Sequence, residues 1–600
     1  MRSGDRALAA SLGLPALVVA AFLGAGWWRR WTVDDAFINY RVVRQVLAGN
    51  GPVYNVGERV EATTSTLWVA LVTVVDAASP FAIEWNGLVL ELLLGAAGLA
   101  AGMAGAVRLG DLRQATDATD ADPDAADLPA AGLGRVVVPV GAAAYLGASG
   151  AWDWATGGLE NGLGMAWMGA AFLAVVALAG AGEPSARRIA ATAALVGTGL
   201  LVRPDFAVFC VGLAPVVGVA AWRRARWRGV GAAAAAALAL PLAVQAFRMG
   251  YYAQLVPNTL HAKEGGRAWW SHGWDYLADF VGTSFLVLPV VVVLAWVVAD
   301  WRPAGATASA RDGRLVVLGV EAAALLHTLG LVRAGGDYMH ARLLLPAWFA
   351  LLLPVLAVRA DALRVRSRAA ATVVLAGWLV VAAGLLRPTQ EYDVRTVLTI
   401  TSGPHPVVAE DMWSRFARFD HARDLGGRPG YHIVAPDGRV TTHPSASGRS
   451  VVAAEMLGII GFWAPLDMWV HDRLGLADPV VARVALEHRG RPGHEKVLTG
   501  PWVAAAFVHP SARLDGRFAA VSGFTAGSAG VDTRQDPARF AVERDAAAEA
   551  LRCGGLGELV HDTRAPLTPS RVLGNMVDAV RLHGLRYPAD PGDAREALCE

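Results

Sequence analysis

The sequence predicts a polytopic α-helical membrane protein that also carries a C-terminal soluble α/β region. Three observations carry this prediction. Of 600 residues, 54% are hydrophobic and 18% charged, where a soluble protein has about 25% charged. Mean hydropathy is +0.39. Apolar runs of spanning length recur up to residue 387 and are absent beyond it. A net charge of +1 gives no global field to attract nucleic acid.

Residues 8–26 contain no charge and are long enough to span. A cleaved signal peptide would look similar, but the apolar runs downstream favour a retained first helix. Further apolar segments lie near 66–80, 86–108, 135–150, 160–181, 187–202, 205–222, 229–247, 281–299, 314–332, 343–358 and 369–386, which makes twelve candidates. Lys and Arg set the orientation. RRARWR (223–228), the loop holding Arg302, Arg311 and Arg314, and RADALRVRSR (359–368) alternate with loops that lack basic clusters. Placing these three in the cytoplasm puts the N-terminus inside and everything after 369–386 outside.

That arrangement needs an odd number of crossings. The short segment 66–80 is therefore read as an interfacial helix, leaving about eleven spans; a re-entrant pair at Arg203-Pro204-Asp205 is the alternative. Residues 27–85, 151–159, 203–205, 248–280 and 333–342 then face outward, and the Ala/Asp-rich stretch 109–134 is expected to be a disordered cytoplasmic loop. Residues 1–387 form the membrane domain and 388–600 an extracytoplasmic domain, with 451–465 as buried α/β core because it is too short for a span and contains Glu455. Cys210 reads as a packing residue. Cys553 and Cys599 can pair if that domain is extracytoplasmic, and two free thiols are the alternative.

The candidate site begins at Asp34-Asp35, directly after the first span. Ala36, Tyr40, Val43 and Leu47 recur at helical spacing. They predict a short amphipathic helix that Asp34 caps and that Gly49 and Gly51 end. Capping accounts for one acid, and the second acid calls for another role. Arg41 lies on the same helix, and Glu58, Arg59, Glu61, Thr63, Thr64 and Ser65 follow it before the next apolar run. On the other outer loops, Asp153 and Glu160 flank a Gly-rich turn, Arg203 and Asp205 flank a proline, and GGDYMHAR supplies Asp337, His340 and Arg342. Asp337 and His340 sit three apart, so a helical turn would put them on one side, where they could hold a divalent cation; a polar cap on the following span is the other reading. Arg342 suits bidentate phosphate binding. Trp152, Trp154, Trp269, Trp270 and Trp274 read as an interfacial aromatic belt, with stacking on sugar rings as the alternative.

The first loop, with Asp34-Asp35 followed by VYNVGERVEATTSTLW, resembles that of membrane glycosyltransferases with the GT-C fold. Together with WDWATGGLENGL (152–163), LVRPDFAVF (201–209), GGDYMHARLLLP (335–346), GLADPVVARV (475–484) and RPGHEK (491–496), it is similar to the terminal β-(1→2)-arabinofuranosyltransferases of mycolic-acid bacteria. The resemblance implies a plasma-membrane enzyme that moves a sugar from a polyprenyl phosphate, decaprenyl-phosphoryl-arabinofuranose, to an arabinan acceptor on the outer face. It implies Asp34 or Asp35 as the base, with Arg342 on the phosphate. Tyr40, Arg41, Glu58, Arg59, Glu61, Thr63, Asp153, Glu160, Arg203, Asp205, Asp337 and His340 are the expected substrate-binding groups. All are expected to gather at the outer leaflet beside a groove for the isoprenoid tail. The donor and product of that family are both β-linked, which leaves two routes: a covalent glycosyl–carboxylate intermediate, or attack on the face the phosphate leaves.

Two other functions fit the same scaffold. A transporter needs internal hydropathy repeats and mid-span ionisable residues; only Glu91, Glu321 and His327 lie there. A non-catalytic regulatory protein, resembling flagellar motor control proteins, is the second.

Overall fold

A computed structural model describes residues 3–117, 136–299, 307–382, 420–434, 440–453, 457–486, parts of 489–518, and 536–600. The Ala/Asp-rich stretch from residue 118, Arg302, Glu455, His494 and residues 388–419 lie outside the described residues.

In chain order the elements begin with α1 Ser3–Trp28, α2 Asp34–Leu47, α3 Thr66–Ala78, α4 Ile83–Asp117, β1 Val137–Val138, α5 Val140–Gly147, α6 Gly150–Asp153 and α7 Asn161–Ala179. There follow α8 Ala186–Gly197, α9 Gly199–Val202, α10 Ala207–Tyr252, α11 Asn258–Ala262, α12 Trp270–Thr283, α13 Val287–Ala299, α14 Ala308–Ala334, α15 Leu345–Leu352, β2 Val358–Arg359 and α16 Arg366–Val381. The last part has β3 Gly430–Val434, β4 Val440–His443, β5 Ser450–Ala453, α17 Leu457–Trp463, β6 Trp469–His471, α18 Gly500–Phe507, α19 Pro537–Ala550, α20 Gly554–Arg564, α21 Pro569–Arg581 and α22 Pro591–Cys599.

These elements form two compact units. One comprises Met1–Thr32, Gly87–Pro241 and Trp269–Ala409; the other comprises Val33–Asn86, Leu242–Ala268 and Glu410–Glu600. By this grouping Val33–Asn86 and Leu242–Ala268 fall with the C-terminal region.

The first unit is helical and apolar. Among the described residues, four helices are long and apolar enough to cross a membrane: Ile83–Leu112, Asn161–Ala179, Pro204–Tyr252 and Ala308–Ala334. α12 and α13 form a further apolar pair bent by 88°. The expected segments 205–222 and 229–247 are the two arms of α10, which leaves helical geometry at Ala225 and Arg226, inside RRARWR. The segments 135–150, 187–202, 281–299 and 343–358 are helices interrupted by short breaks rather than single continuous helices. Pro139 precedes α5, Ser284 and Phe285 separate α12 from α13, and Pro354 sits in the 3-10 turn after α15. Apolar composition alone does not keep a helix continuous through such residues. α3 has 13 residues, about 20 Å of helix, which is too short to cross.

Glycines set two close helix crossings. A Cβ on Gly98 of α4 would lie 2.3 Å from the Met165 carbonyl of α7, and one on Gly212 of α10 would lie 2.3 Å from Gly319 O of α14. Such approaches strengthen dispersion between helices where lipid supplies no hydrophobic drive.

The second unit is mixed. Its four-stranded sheet has the order β4-β3-β5-β6, with β3 antiparallel to β4 and parallel to β5, and β5 parallel to β6. Tyr431, Ile433, Val451 and Ala453 pack with Trp502, Val503 and Phe507 of α18, and Ala547, Ala550, Leu556 and Ala594 extend the core through α19, α20 and α22. Residues 451–465, expected as buried α/β core, supply β5 and α17. Cys553 and Cys599 form a disulfide, with Cα atoms 5.1 Å apart, tying the start of α20 to the end of α22.

Candidate active site

In the second unit the acidic pair opens α2, as expected, but Asp34 does not cap it. Val33 is the N-cap residue and makes no side-chain cap bond. The Asp34 carboxylate instead accepts hydrogen bonds from the Gly458 and Ile459 amides, at 3.1 and 2.8 Å. One helix start thus caps another, α17, whose first-turn amides would otherwise lack acceptors. The approach is close enough that a Cβ on Gly458 would fall 1.7 Å from Asp34 O. Burial pushes the Asp34 carboxyl up to about 7; the Ile459 amide opposes that shift and the Asp35 charge adds to it. Asp35 is half-buried on the next position of the same turn.

Arg41 is fully buried and donates to five main-chain carbonyls: Tyr54 at 2.9 Å, Gly461 at 2.5 Å, Ala464 at 3.0 Å, Pro465 at 3.3 Å and Met468 at 2.8 Å. A guanidinium has five N–H groups, and here each has a main-chain acceptor, so Arg41, expected among the substrate-binding groups, clamps the backbone of this unit. Tyr40 is buried with its ring edge on Phe37, centroids 5.5 Å apart.

The loop after α2 is held in the same manner. Glu58 pairs with Arg564 at 2.8 Å, and burial pushes the Glu58 carboxyl up to about 7 against that partner. The Arg59 amide donates to Thr563 O at 2.8 Å, and its guanidinium to Tyr251 O and Asp562 O at 3.0 and 2.6 Å. Glu61 takes a two-pronged contact from Arg248, at 2.5 and 3.1 Å. Thr63 is buried, and Thr64 lies 3.2 Å from the Thr259 hydroxyl. Glu58, Arg59 and Glu61, expected to touch substrate, therefore tie their loop to other parts of the unit.

In the first unit, four of the expected residues come together around Trp154. Arg29 pairs with Asp153 at 3.1 Å, and Trp31 donates to Asp153 O at 2.5 Å. The Trp154 indole donates to His340 O at 2.8 Å, and Arg342 lies over the Trp154 ring, 5.8 Å from its centroid. Asp337 faces Arg342 at 3.6 Å and accepts from the Tyr338 amide at 2.9 Å, while His340 pairs with Asp279. α14 ends at Ala334 with Gly335 at φ +98°, and α15 starts only at Leu345. Asp337 and His340 thus sit on irregular backbone rather than one helical turn, and Arg342 precedes the helix rather than starting it. Between His340 and Arg342, Ala341 has φ +62°, and the Arg342 amide bonds back to His340 O at 2.7 Å. That is the strained form of a γ-turn, and such strain is characteristic of functional sites. Among the described residues no group of three or more His, Cys, Asp or Glu is arranged to hold a metal ion.

Arg203, Asp205 and Glu160 form a second cluster. Arg203 reaches Glu160 at 2.5 Å and Asp205 at 2.9 Å, and Asp205 lies 2.9 Å from His327 Nε2. Glu91 accepts from the Gly158 amide at 2.6 Å, fixing the Gly-rich turn between Asp153 and Glu160. Arg29, Asp279, His327 and Glu91 were not among the expected site residues. Glu91 and His327 did carry a signal, since an ionisable group in an apolar helix is a functional candidate by default. Of the tryptophans expected as a belt, Trp270 and Trp274 are exposed and Trp154 is buried.

Residues 437–519 match the AftB family C-terminal domain. The chain is 32% identical over 576 positions to a terminal β-(1→2)-arabinofuranosyltransferase of Corynebacterium glutamicum, covering 84% of this chain and 78% of that protein. It is 31% identical over 643 aligned positions to a protein of the same description from Mycobacterium tuberculosis, covering 97% of this chain and 96% of that one. No solved structure matches the chain.

Proposed function

The chain belongs to the family of terminal β-(1→2)-arabinofuranosyltransferases, and from that premise we propose that it transfers an arabinofuranosyl group from decaprenyl-phosphoryl-arabinofuranose to the end of an arabinan chain at the outer face of the plasma membrane. The observation that carries the residue assignment is the fixed acidic pair. Two amides hold Asp34, which orients the first turn of α2 and with it Asp35. Asp35 is the base: it accepts the acceptor hydroxyl proton as that oxygen bonds the anomeric carbon and the bond to phosphate breaks. Arg342, set on strained backbone against Trp154 and Asp337, is assigned to the phosphate. The Cys553–Cys599 bond supports an oxidising, extracytoplasmic location for the C-terminal region.

The assignment is tested in membranes supplied with decaprenyl-phosphoryl-arabinofuranose and an arabinan oligosaccharide. Asp35→Asn is expected to lower transfer by roughly 10³-fold, within the range for loss of a general base. Asp34→Asn, which keeps one amide acceptor, loses less. Arg342→Lys raises the donor KM. Full transfer by both Asp variants would remove the catalytic role of the pair.

A further inference from the structure

A group of cations in the second unit has no part in the chemistry above. Arg483, from the GLADPVVARV stretch, is buried and directs Nη1 to His261 Nδ1 at 3.2 Å and to the Leu582 and His583 carbonyls at 3.3 and 3.0 Å. His261 is also buried, with its ring edge-on to His583, centroids 5.1 Å apart. Lys496, from RPGHEK, is buried and donates to Ala482 O at 2.7 Å. Lys496 and Arg586 share one carboxylate, Glu264, at 2.5 and 3.3 Å.

The charges do not balance. Lys496 and Arg586 share the one carboxylate, and Arg483, which among the described residues reaches only His261 and two carbonyls, has none. Burial pushes Lys496 down to about 8 and lowers Arg483 as well. Burial pushes His261 down to about 2, and Arg483, Arg586, His583 and Lys496 all push it the same way. A neutral His261 whose Nδ1 accepts from Arg483 carries its proton on Nε2. That Nε2 and the Arg483 Nε are both buried without a hydrogen-bond partner among the described residues. Both are donors, so the group lacks an acceptor, and an unpaired buried charge is costly. His583 and Arg586 are half-exposed and give the group an edge at the surface.

We propose that Arg483, His261, His583, Lys496 and Arg586 form a binding site for a phosphate-class oxyanion. An oxyanion offers what the group lacks: negative charge, and lone pairs for two orphan N–H donors. Two sources share this chemistry, the phosphate headgroup of a polyprenyl lipid and free phosphate. The proposal does not depend on the roles of Asp34, Asp35 or Arg342.

The test uses the full-length protein in nanodiscs of neutral lipid. Binding of inorganic phosphate is measured by calorimetry at constant ionic strength, with a short-chain prenyl phosphate in a second arm. Saturable binding in either arm is expected, weakened at least tenfold in Arg586→Gln and in His261→Gln. Prenyl phosphate alone binding identifies the lipid headgroup as source; equal binding in both arms identifies phosphate itself. Arg586→Gln alters a half-exposed side chain, so folding is retained and its loss of binding reads the site directly. No saturable binding in either arm, or binding unchanged in both variants, overturns the proposal.

Discussion

In the unit that contains α7 and α14, Arg29 meets Asp153, Arg203 meets Glu160 and Asp205, and His340 meets Asp279. In the unit built on the β3–β6 sheet, Arg41 meets five carbonyls, Asp34 two amides, and Asn258 the carbonyls of Gly475, Leu476 and Asp478. The contrast follows from what the backbone leaves over. A long apolar helix uses its own N–H and C=O groups internally, so its ionisable side chains turn to one another or to the amides of turns, as Glu91 does to Gly158. Turns and short helices leave backbone groups orphaned, and side chains are recruited to them. Ion pairs prevail in the first unit, and the second adds main-chain clamps to pairs such as Glu58–Arg564 and Glu61–Arg248; both answer the same cost of burying polar groups.

The sharpest way to break this comparison is Arg41→Leu. Pro465 O keeps the Met468 amide and Tyr54 O the Gln45 side chain, while the Gly461, Ala464 and Met468 carbonyls lose their donor, a cost of about 3–9 kcal/mol, a large part of the stability of a domain. The second unit is expected to become protease-sensitive throughout, and a protein that resists cleavage as well as wild type would refute the clamp. Next comes removal of the disulfide by Cys553→Ser with Cys599→Ser, which closes a loop of separation 46 and is expected to cost about 4 kcal/mol. The loss should appear as a lower midpoint of thermal unfolding, confined to α19–α22 in hydrogen exchange.

Asp205→Asn tests the first unit. It leaves Arg203 with Glu160 alone and removes the acceptor of His327, and with Asp205 partly exposed the cost is about 2 kcal/mol. By contrast Asp34→Asn keeps an acceptor for an amide and is expected to cost only about 1 kcal/mol. Equal losses in the two variants would erase the distinction between the units.

The last test is one of pH. Asp34 and Glu58 titrate near 7 in the folded protein and near 4 when unfolded. Between those values the folded state holds more protons, so stability is fully present below about pH 4 and declines as pH rises to 7, by up to about 1.4 kcal/mol per pH unit for each of the two groups. A urea midpoint that climbs with pH over this interval, or a slope unchanged in Asp34→Asn, would contradict the assignment.

Much of this contrast was legible in the sequence, though unevenly. Asp34-Asp35 stood out because capping needs one acid, and Cys553 and Cys599 because they were the two cysteines of a polar region. Residues 451–465 were readable as core because strand and helix were both too short to span. The breaks at Ser284 and Phe285 were not readable, since apolar content continues across them. Nor were the roles of Arg41, Glu58 and Glu61. Their partners are main-chain carbonyls and side chains far along the chain, and no local pattern marks a residue that will hold a carbonyl more than 400 positions away.

That separation has a consequence for biosynthesis. α2 leaves the ribosome long before α17, with 420 residues between Arg41 and Gly461. At about 5–20 residues per second, the guanidinium waits roughly 20–80 s for four of its five acceptors. Until then only Tyr54 is available to it, so a nascent chain stalled before residue 461 carries α2 with most of the Arg41 guanidinium unsatisfied.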